Sequence, residues 1–157
     1  MKIEKRWVVS FIVIGIVAIS GLFWTPTVAT ETGPFNTTET IVTADVAWLL
    51  TSSCLVLLMT PGLSFFYGGM VGKKNVISTM LQSFICLGVV TLLWVVVGFS
   101  LAFGDSIGFN INGTHYGLIG NPTQFAFFDQ VGPLPHNKMA STIPFILFAL
   151  FQMKFAV

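Results

Sequence analysis

Four long apolar segments, separated by shorter polar stretches, dominate the hydrophobicity pattern of this chain. They span residues 7–24, 46–67, 76–103 and 139–157. The second and third segments carry no charged residue, and about 20 consecutive apolar residues are enough for a helix to cross the hydrocarbon core of a bilayer. The pattern therefore predicts an all-α integral membrane protein whose mature part begins with three transmembrane helices.

The first segment has the features of a secretory signal peptide. It follows a start rich in lysine and arginine, and Thr27 and Ala29 suit the small-residue positions of a signal-peptidase site. We therefore expect residues 1–29 to be a signal peptide and residues 30–43 to form an extracellular polar N-terminus. An uncleaved anchor helix is the alternative, because the apolar run is long for the core of a signal peptide.

The second segment contains a proline and a glycine, Pro61 and Gly62. In water a proline in the middle of a helix usually ends it, but in a membrane the neighbouring helices can satisfy the carbonyl group that it frees. We therefore expect one kinked helix that ends at the turn Tyr67-Gly68-Gly69.

The loops between the segments predict the orientation of the chain in the membrane. Lys73 and Lys74 lie between the second and third segments, and basic residues favour the cytoplasmic side. The stretch 104–138, which is rich in glycine, asparagine and proline, then lies outside the membrane, as do residues 30–43.

The composition excludes several classes of function. Charged residues make up 8% and hydrophobic residues 54% of the 157 residues, whereas a soluble domain carries about 25% charged residues. The net charge of +1 gives no support for nucleic-acid binding.

The histidines and cysteines suggest no site of their own. His115 and His136 fall in the outer loop, where we expect them to be solvated. Cys54 and Cys86 lie within apolar segments with no histidine nearby, which favours packing or lipid-facing thiols over a metal site. With no nucleophile–base pattern either, we expect no enzyme, no metal and no cofactor.

The fourth segment carries the candidate functional residues. Phe151 and Phe155 are four positions apart, so they share one face of a helix. Two such rings on a pore face would make a hydrophobic gate and a cation–π surface, and ordinary core packing is the alternative. Lys154 would oppose a cationic substrate if it pointed into such a pore, so we expect it to point away.

The most distinctive sequence blocks lie in the last three segments. They are Asp45-Val46-Ala47-Trp48, Met59-Thr60-Pro61-Gly62-Leu63-Ser64-Phe65-Phe66-Tyr67-Gly68-Gly69-Met70-Val71, Lys74-Asn75-Val76, the stretch 93–104, Ile143-Pro144 and Phe151-Gln152-Met153-Lys154-Phe155-Ala156. In this order and spacing the blocks resemble the ammonium transporters of the Amt/Mep/Rh family. The resemblance covers residues 45–157.

The resemblance implies a fold of eleven transmembrane helices, with the mature N-terminus outside the cell (plasma) membrane, in a homotrimer with one pore per subunit. It implies ammonium or ammonia as the substrate and a PII-type protein as a possible cytoplasmic regulator. The vestibule and gate phenylalanines of the family correspond to Phe151 and Phe155. An aromatic pair near the inner half of the pore corresponds to Phe66 and Tyr67.

The extent of the resemblance implies a partial transporter domain in residues 44–157. The paired pore histidines of the family would lie beyond Val157, so the resemblance implies an N-terminal fragment that alone does not enclose a conduction path. Two other functions remain open at this point: a non-transporting membrane subunit that packs against full-length partners, and an ammonium sensor module.

Overall fold

The computed structural model describes residues 5–23, 27, 33–35, 40–111 and 114–157. This part of the chain is mostly helical. The helices are α1 (Lys5–Phe23), α2 (Thr43–Met70), α3 (Val76–Phe103) and α4 (Phe145–Ala156), and the strands are β1 (Ser106–Ile111) and β2 (Thr114–Gly120). A π-helical turn, Trp94–Gly98, lies within α3, and two short 3-10 helices cover Gly33–Phe35 and Ala126–Phe128.

Helices α2 and α3 are each long and apolar enough to cross a membrane. Helix α2 continues past Pro61 without a break. It also continues through the glycines after Tyr67, where the sequence analysis expected a turn. The reason is packing: a Cβ atom at Gly68 would lie 2.9 Å from Cγ of Met80, so the glycine lets α2 approach α3 closely. One turn earlier, the buried Ser64 hydroxyl donates to the carbonyl oxygen of Met80 at 3.1 Å.

Helix α4 begins later than the apolar segment from which it was expected. Residues 139–144 form turns, and Pro144 has extended backbone angles, with φ −57° and ψ 134°. A proline disfavours helical angles at the residue before it, so the helix starts at Phe145. Helix α4 is tied to α3 by Trp94, whose indole Nε1 donates to the carbonyl oxygen of Ala149 at 3.2 Å.

The stretch 104–138 contains an antiparallel hairpin of β1 and β2, so the expectation of an all-α fold was too simple. Strand β1 alternates apolar and small or polar residues, and the two-residue connection Asn112-Gly113 in the sequence is typical of a hairpin turn. The base of the hairpin lies against the end of α3, because a Cβ atom at Gly120 would be 2.5 Å from the carbonyl oxygen of Leu101. The alternation in β1 and the Asn112-Gly113 pair are sequence features that indicate such a hairpin within the polar stretch 104–138.

The buried core is aromatic and lies where the C-terminal end of α3 meets the start of α4. Phe99 is completely buried, and its ring centroid lies between 5.2 and 5.9 Å from those of five other aromatic residues. They are Trp94, Phe103, Phe125, Phe128 and Phe145. By contrast, many large apolar side chains along α2 and α3 are exposed, as expected for helices that meet lipid or other helices.

A buried serine joins the end of α3 to the loop that follows the hairpin. The Ser100 hydroxyl donates to the carbonyl oxygen of Asn121 at 2.6 Å and accepts from the backbone N–H of Phe125 at 2.9 Å. Ser100 has no exposed surface. One hydroxyl therefore satisfies two backbone groups that would otherwise be unpaired in the protein interior.

We expect Ser100→Ala to lower the free energy of unfolding by about 2–3 kcal/mol, because two buried backbone groups lose their partner. Denaturant unfolding in detergent micelles, followed by far-ultraviolet circular dichroism, measures the change. Ser53→Ala is the matched control: Ser53 is also buried, but its hydroxyl has no hydrogen-bond partner among the described residues, so its removal should cost nothing. Equal losses of unfolding free energy in the two variants would show that the hydrogen bonds of Ser100 do not stabilise the fold.

Candidate functional site

The two phenylalanines of α4 form a contacting pair. The ring centroids of Phe151 and Phe155 are 5.0 Å apart and the rings meet edge to face, with an interplanar angle of 70°. Phe155 is 56% exposed, and Phe151 is partly buried. The four-residue spacing therefore places both rings on one face of α4, and that face is open at Phe155.

The second aromatic pair lies near the end of α2. The ring centroids of Phe66 and Tyr67 are 5.7 Å apart, and both side chains are exposed. Tyr67 lines a cleft of about 660 Å³ between the second half of α2 and the first half of α3. Val157 lines this cleft as well, but Phe151 and Phe155 are not among its lining residues.

The cleft beside Tyr67 is mainly apolar with a few polar groups. Its polar side chains include the hydroxyls of Thr60 and Thr79 and the amide of Gln82. Cys86 also lines it, and both cysteines of the chain are free thiols. Such a surface offers hydrogen-bonding groups at a few points along an otherwise apolar wall.

Lys154 is partly buried on α4, next to Phe155 in the sequence. Its expected orientation away from the aromatic pair stays a prediction.

His136 is buried, so the expectation of a solvated surface histidine was wrong. Its side chain is 3% exposed and stacks on Phe145, with ring centroids 4.8 Å apart and an interplanar angle of 25°. The rings of Phe35 and His136 meet edge to face, with ring centroids 5.2 Å apart. The side chain of His115 lies outside the described residues.

The surroundings of His136 lower its pKa below the ordinary value. Burial is the largest cause, because it disfavours the charged imidazolium, and the nearby Lys138 acts in the same direction. The carboxylate of Asp105 opposes both by raising the pKa. Sequence reasoning missed this residue because its burial depends on Phe35, which lies far earlier in the chain, and no local pattern reveals that contact.

Comparison with known proteins identifies the family. The sequence profile of the Ammonium Transporter Family matches residues 47–157. The chain belongs to this family. The match includes α2, α3 and α4 from residue 47 onwards, and with them all four aromatic residues of the two candidate pairs. The resemblance found in the sequence blocks is thereby confirmed, and the chain is a membrane protein of a transporter family rather than a member of an enzyme family.

Relatives in this family come from distant microorganisms. An ammonium transporter of Mycobacterium tuberculosis is 46% identical over 119 residues, which cover 72% of this chain and 25% of that protein. An ammonium transporter of Bacillus subtilis is 44% identical over 115 residues, covering 72% of this chain and 25% of that protein. An ammonium transporter of Aquifex aeolicus is 38% identical over 115 residues, covering 73% of this chain and 25% of that protein. The chain thus spans about a quarter of the length of these curated relatives.

Proposed function

We propose that the complete protein carries ammonium or ammonia across the cell membrane. The observation that carries this proposal is the match of the Ammonium Transporter Family profile to residues 47–157. The relatives compared above are each described as ammonium transporters. This agreement favours transport over the membrane interaction subunit and the sensor module.

In this proposal the aromatic pair of α4 forms the entrance to the path. Phe151 lies nearer the outer end of α4 and binds the cation over its ring face, and Phe155 narrows the path below it. An apolar constriction removes water from the ion, and desolvation disfavours its charged form. Ammonium therefore loses a proton at or below the constriction, and neutral ammonia continues inward. Phe66 and Tyr67 border the inner half of the same path.

The proposed topology follows from the charges and lengths of the elements. Residues 1–29 are a signal peptide and the mature N-terminus at 30–43 is outside, so that α2 runs inward and α3 returns. The exposed pair Lys73 and Lys74, between α2 and α3, supports a cytoplasmic position for this loop. In the complete protein we propose eleven transmembrane helices, a homotrimer and a PII-type cytoplasmic regulator.

Uptake of radiolabelled methylammonium tests the proposed function. The full-length protein that contains residues 1–157 is expressed in a host that lacks its own ammonium carriers. We expect uptake above the level of the empty vector, and competition by unlabelled ammonium. A correctly inserted protein that takes up no label, and that does not restore growth on low ammonium, would contradict transport and leave the sensor or subunit functions.

A further inference from the structure

His136 connects three separate parts of the outer surface. Its ring stacks on Phe145, the first residue of α4, and also contacts Phe35, which precedes α2. Its backbone closes a tight loop, because its N–H donates to the carbonyl oxygen of Ala140 at 2.9 Å and the Ala140 N–H donates back at 2.8 Å. The next residue, Asn137, donates its N–H to the carbonyl oxygen of Pro34 at 2.9 Å.

The imidazole is held mainly by aromatic rings. Its Nδ1 atom is buried and has no hydrogen-bond partner among the described residues. Phe35, Phe125 and Phe145 surround the ring. An imidazolium donates from both nitrogens, so a protonated ring would leave a charged donor unpaired in an apolar setting.

The titratable groups that face the ring come from two loops. Asp105 follows α3 and Lys138 follows the histidine itself. Both line a cavity of about 380 Å³ beside His136. The carboxylate of Asp105 already accepts a hydrogen bond from the Gln124 amide at 3.0 Å. The described residues that pack on the other sides of the ring, Phe35, Phe125 and Phe145, carry no titratable group.

We infer that His136 is a positioning residue: its neutral imidazole holds the outer end of α4 in place, and its protonation loosens that end. Phe151 lies on the same helix, about 9 Å along the axis from Phe145. A fall in the external pH therefore displaces Phe151, at the proposed entrance of the ammonium path. This last consequence rests on the proposed function, whereas the loosening itself does not.

The direction of the pH effect follows from the lowered pKa of His136. The unfolded chain takes up a proton near the ordinary value of 6.5, and the folded chain takes it up only at lower pH. The contribution of the neutral ring to stability is thus complete above the ordinary pKa. It is lost as the pH falls through the lowered pKa of the folded state.

Amide hydrogen exchange of the full-length protein that contains residues 1–157, in lipid nanodiscs, tests the inference. Exchange of residues 134–148 is measured between about pH 7.5 and about pH 5, bracketing the ordinary histidine range, and corrected for the chemical exchange rate. We expect the corrected opening of this segment to increase by up to about tenfold per pH unit between the ordinary pKa and the lowered pKa of the folded state, and to level off below it. Exchange in the middle of α3 should not follow this profile.

Matched variants isolate the titrating group. His136→Phe keeps a ring of similar size without the unpaired nitrogen, and its opening should not vary with pH; His136→Gln is a second variant that does not titrate. His115→Gln removes the other histidine and should retain the wild-type profile. The inference is overturned if the opening of residues 134–148 in the wild type does not vary with pH. It is also overturned if the pH dependence of this opening persists in both His136 variants.

Uptake measurements separate this inference from the proposed function. In the full-length protein, methylammonium uptake should fall at acidic external pH and become less sensitive to acid in His136→Phe. A pH-dependent opening of residues 134–148 in a protein that transports nothing would support the inference and refute transport. If methylammonium uptake is normal and the opening of residues 134–148 does not vary with pH, the inference is refuted and transport is supported.

Discussion

Replacing Phe99 with alanine is expected to lower the free energy of unfolding by about 3–5 kcal/mol. Phe99 has no exposed surface and contacts aromatic residues from α3, from the loop before α4 and from α4 itself. The change removes a whole ring, and the surrounding rings are too rigid to fill the space. Because lipid is as apolar as the core, most of this loss comes from packing contacts rather than from exclusion of water.

Denaturant unfolding in micelles measures the loss at Phe99, and Phe65→Ala is the matched control. Phe65 is 67% exposed on α2, so the same truncation there leaves no internal cavity and should cost less than about 1 kcal/mol. Similar losses at the two positions would show that the aromatic cluster between the end of α3 and the start of α4 is not the stabilising core.

Replacing Phe155 with aspartate is expected to reduce methylammonium uptake by about a hundredfold in the full-length protein. A charged side chain in the apolar interior of a membrane costs about 2.5–3.5 kcal/mol, and a carboxylate in the proposed constriction would also retain water and bind the cation too strongly to release it. Phe155→Ala should reduce uptake less, because it removes the ring without adding a charge.

The abundance of each variant in the membrane must be measured together with uptake. Phe155→Leu is the matched control, since it keeps an apolar side chain and should retain most of the uptake and the expression level. If Phe155→Asp is inserted normally and transports like the wild type, Phe155 does not line the path and the proposed entrance is wrong.

The membrane helices were largely predictable because their signal is local. An uncharged apolar run of 28 residues, 76–103, needs no distant partner to be read as a span, and α3 has these bounds. The end of α2 was less predictable. Gly68 looks like a turn residue in the sequence, but its role is to let Met80 approach, and that contact belongs to another helix.

The region between α3 and α4 was less predictable because its elements depend on distant contacts. The alternation in β1 was visible in the sequence, yet the fit of Gly120 against the end of α3 was not. His136 and Ser100 owe their environments to Phe35 and to Asn121, which no periodicity connects to them. At the candidate site, the four-residue spacing of Phe151 and Phe155 predicted that their rings touch. Their proposed role along an ammonium path comes from the family resemblance and not from the spacing.

The location of the aromatic core has a consequence for how the protein is made. Phe35, Phe99, Phe125 and Phe145 all contribute to one cluster, so the cluster cannot close until the ribosome has passed residue 145. Few side chains of α2 and α3 are buried, so both helices can form before the cluster closes. We therefore expect the docking of Phe35 and of α4 on the end of α3 to be a late step in folding, preceded by intermediates that expose long apolar helices rather than a formed core.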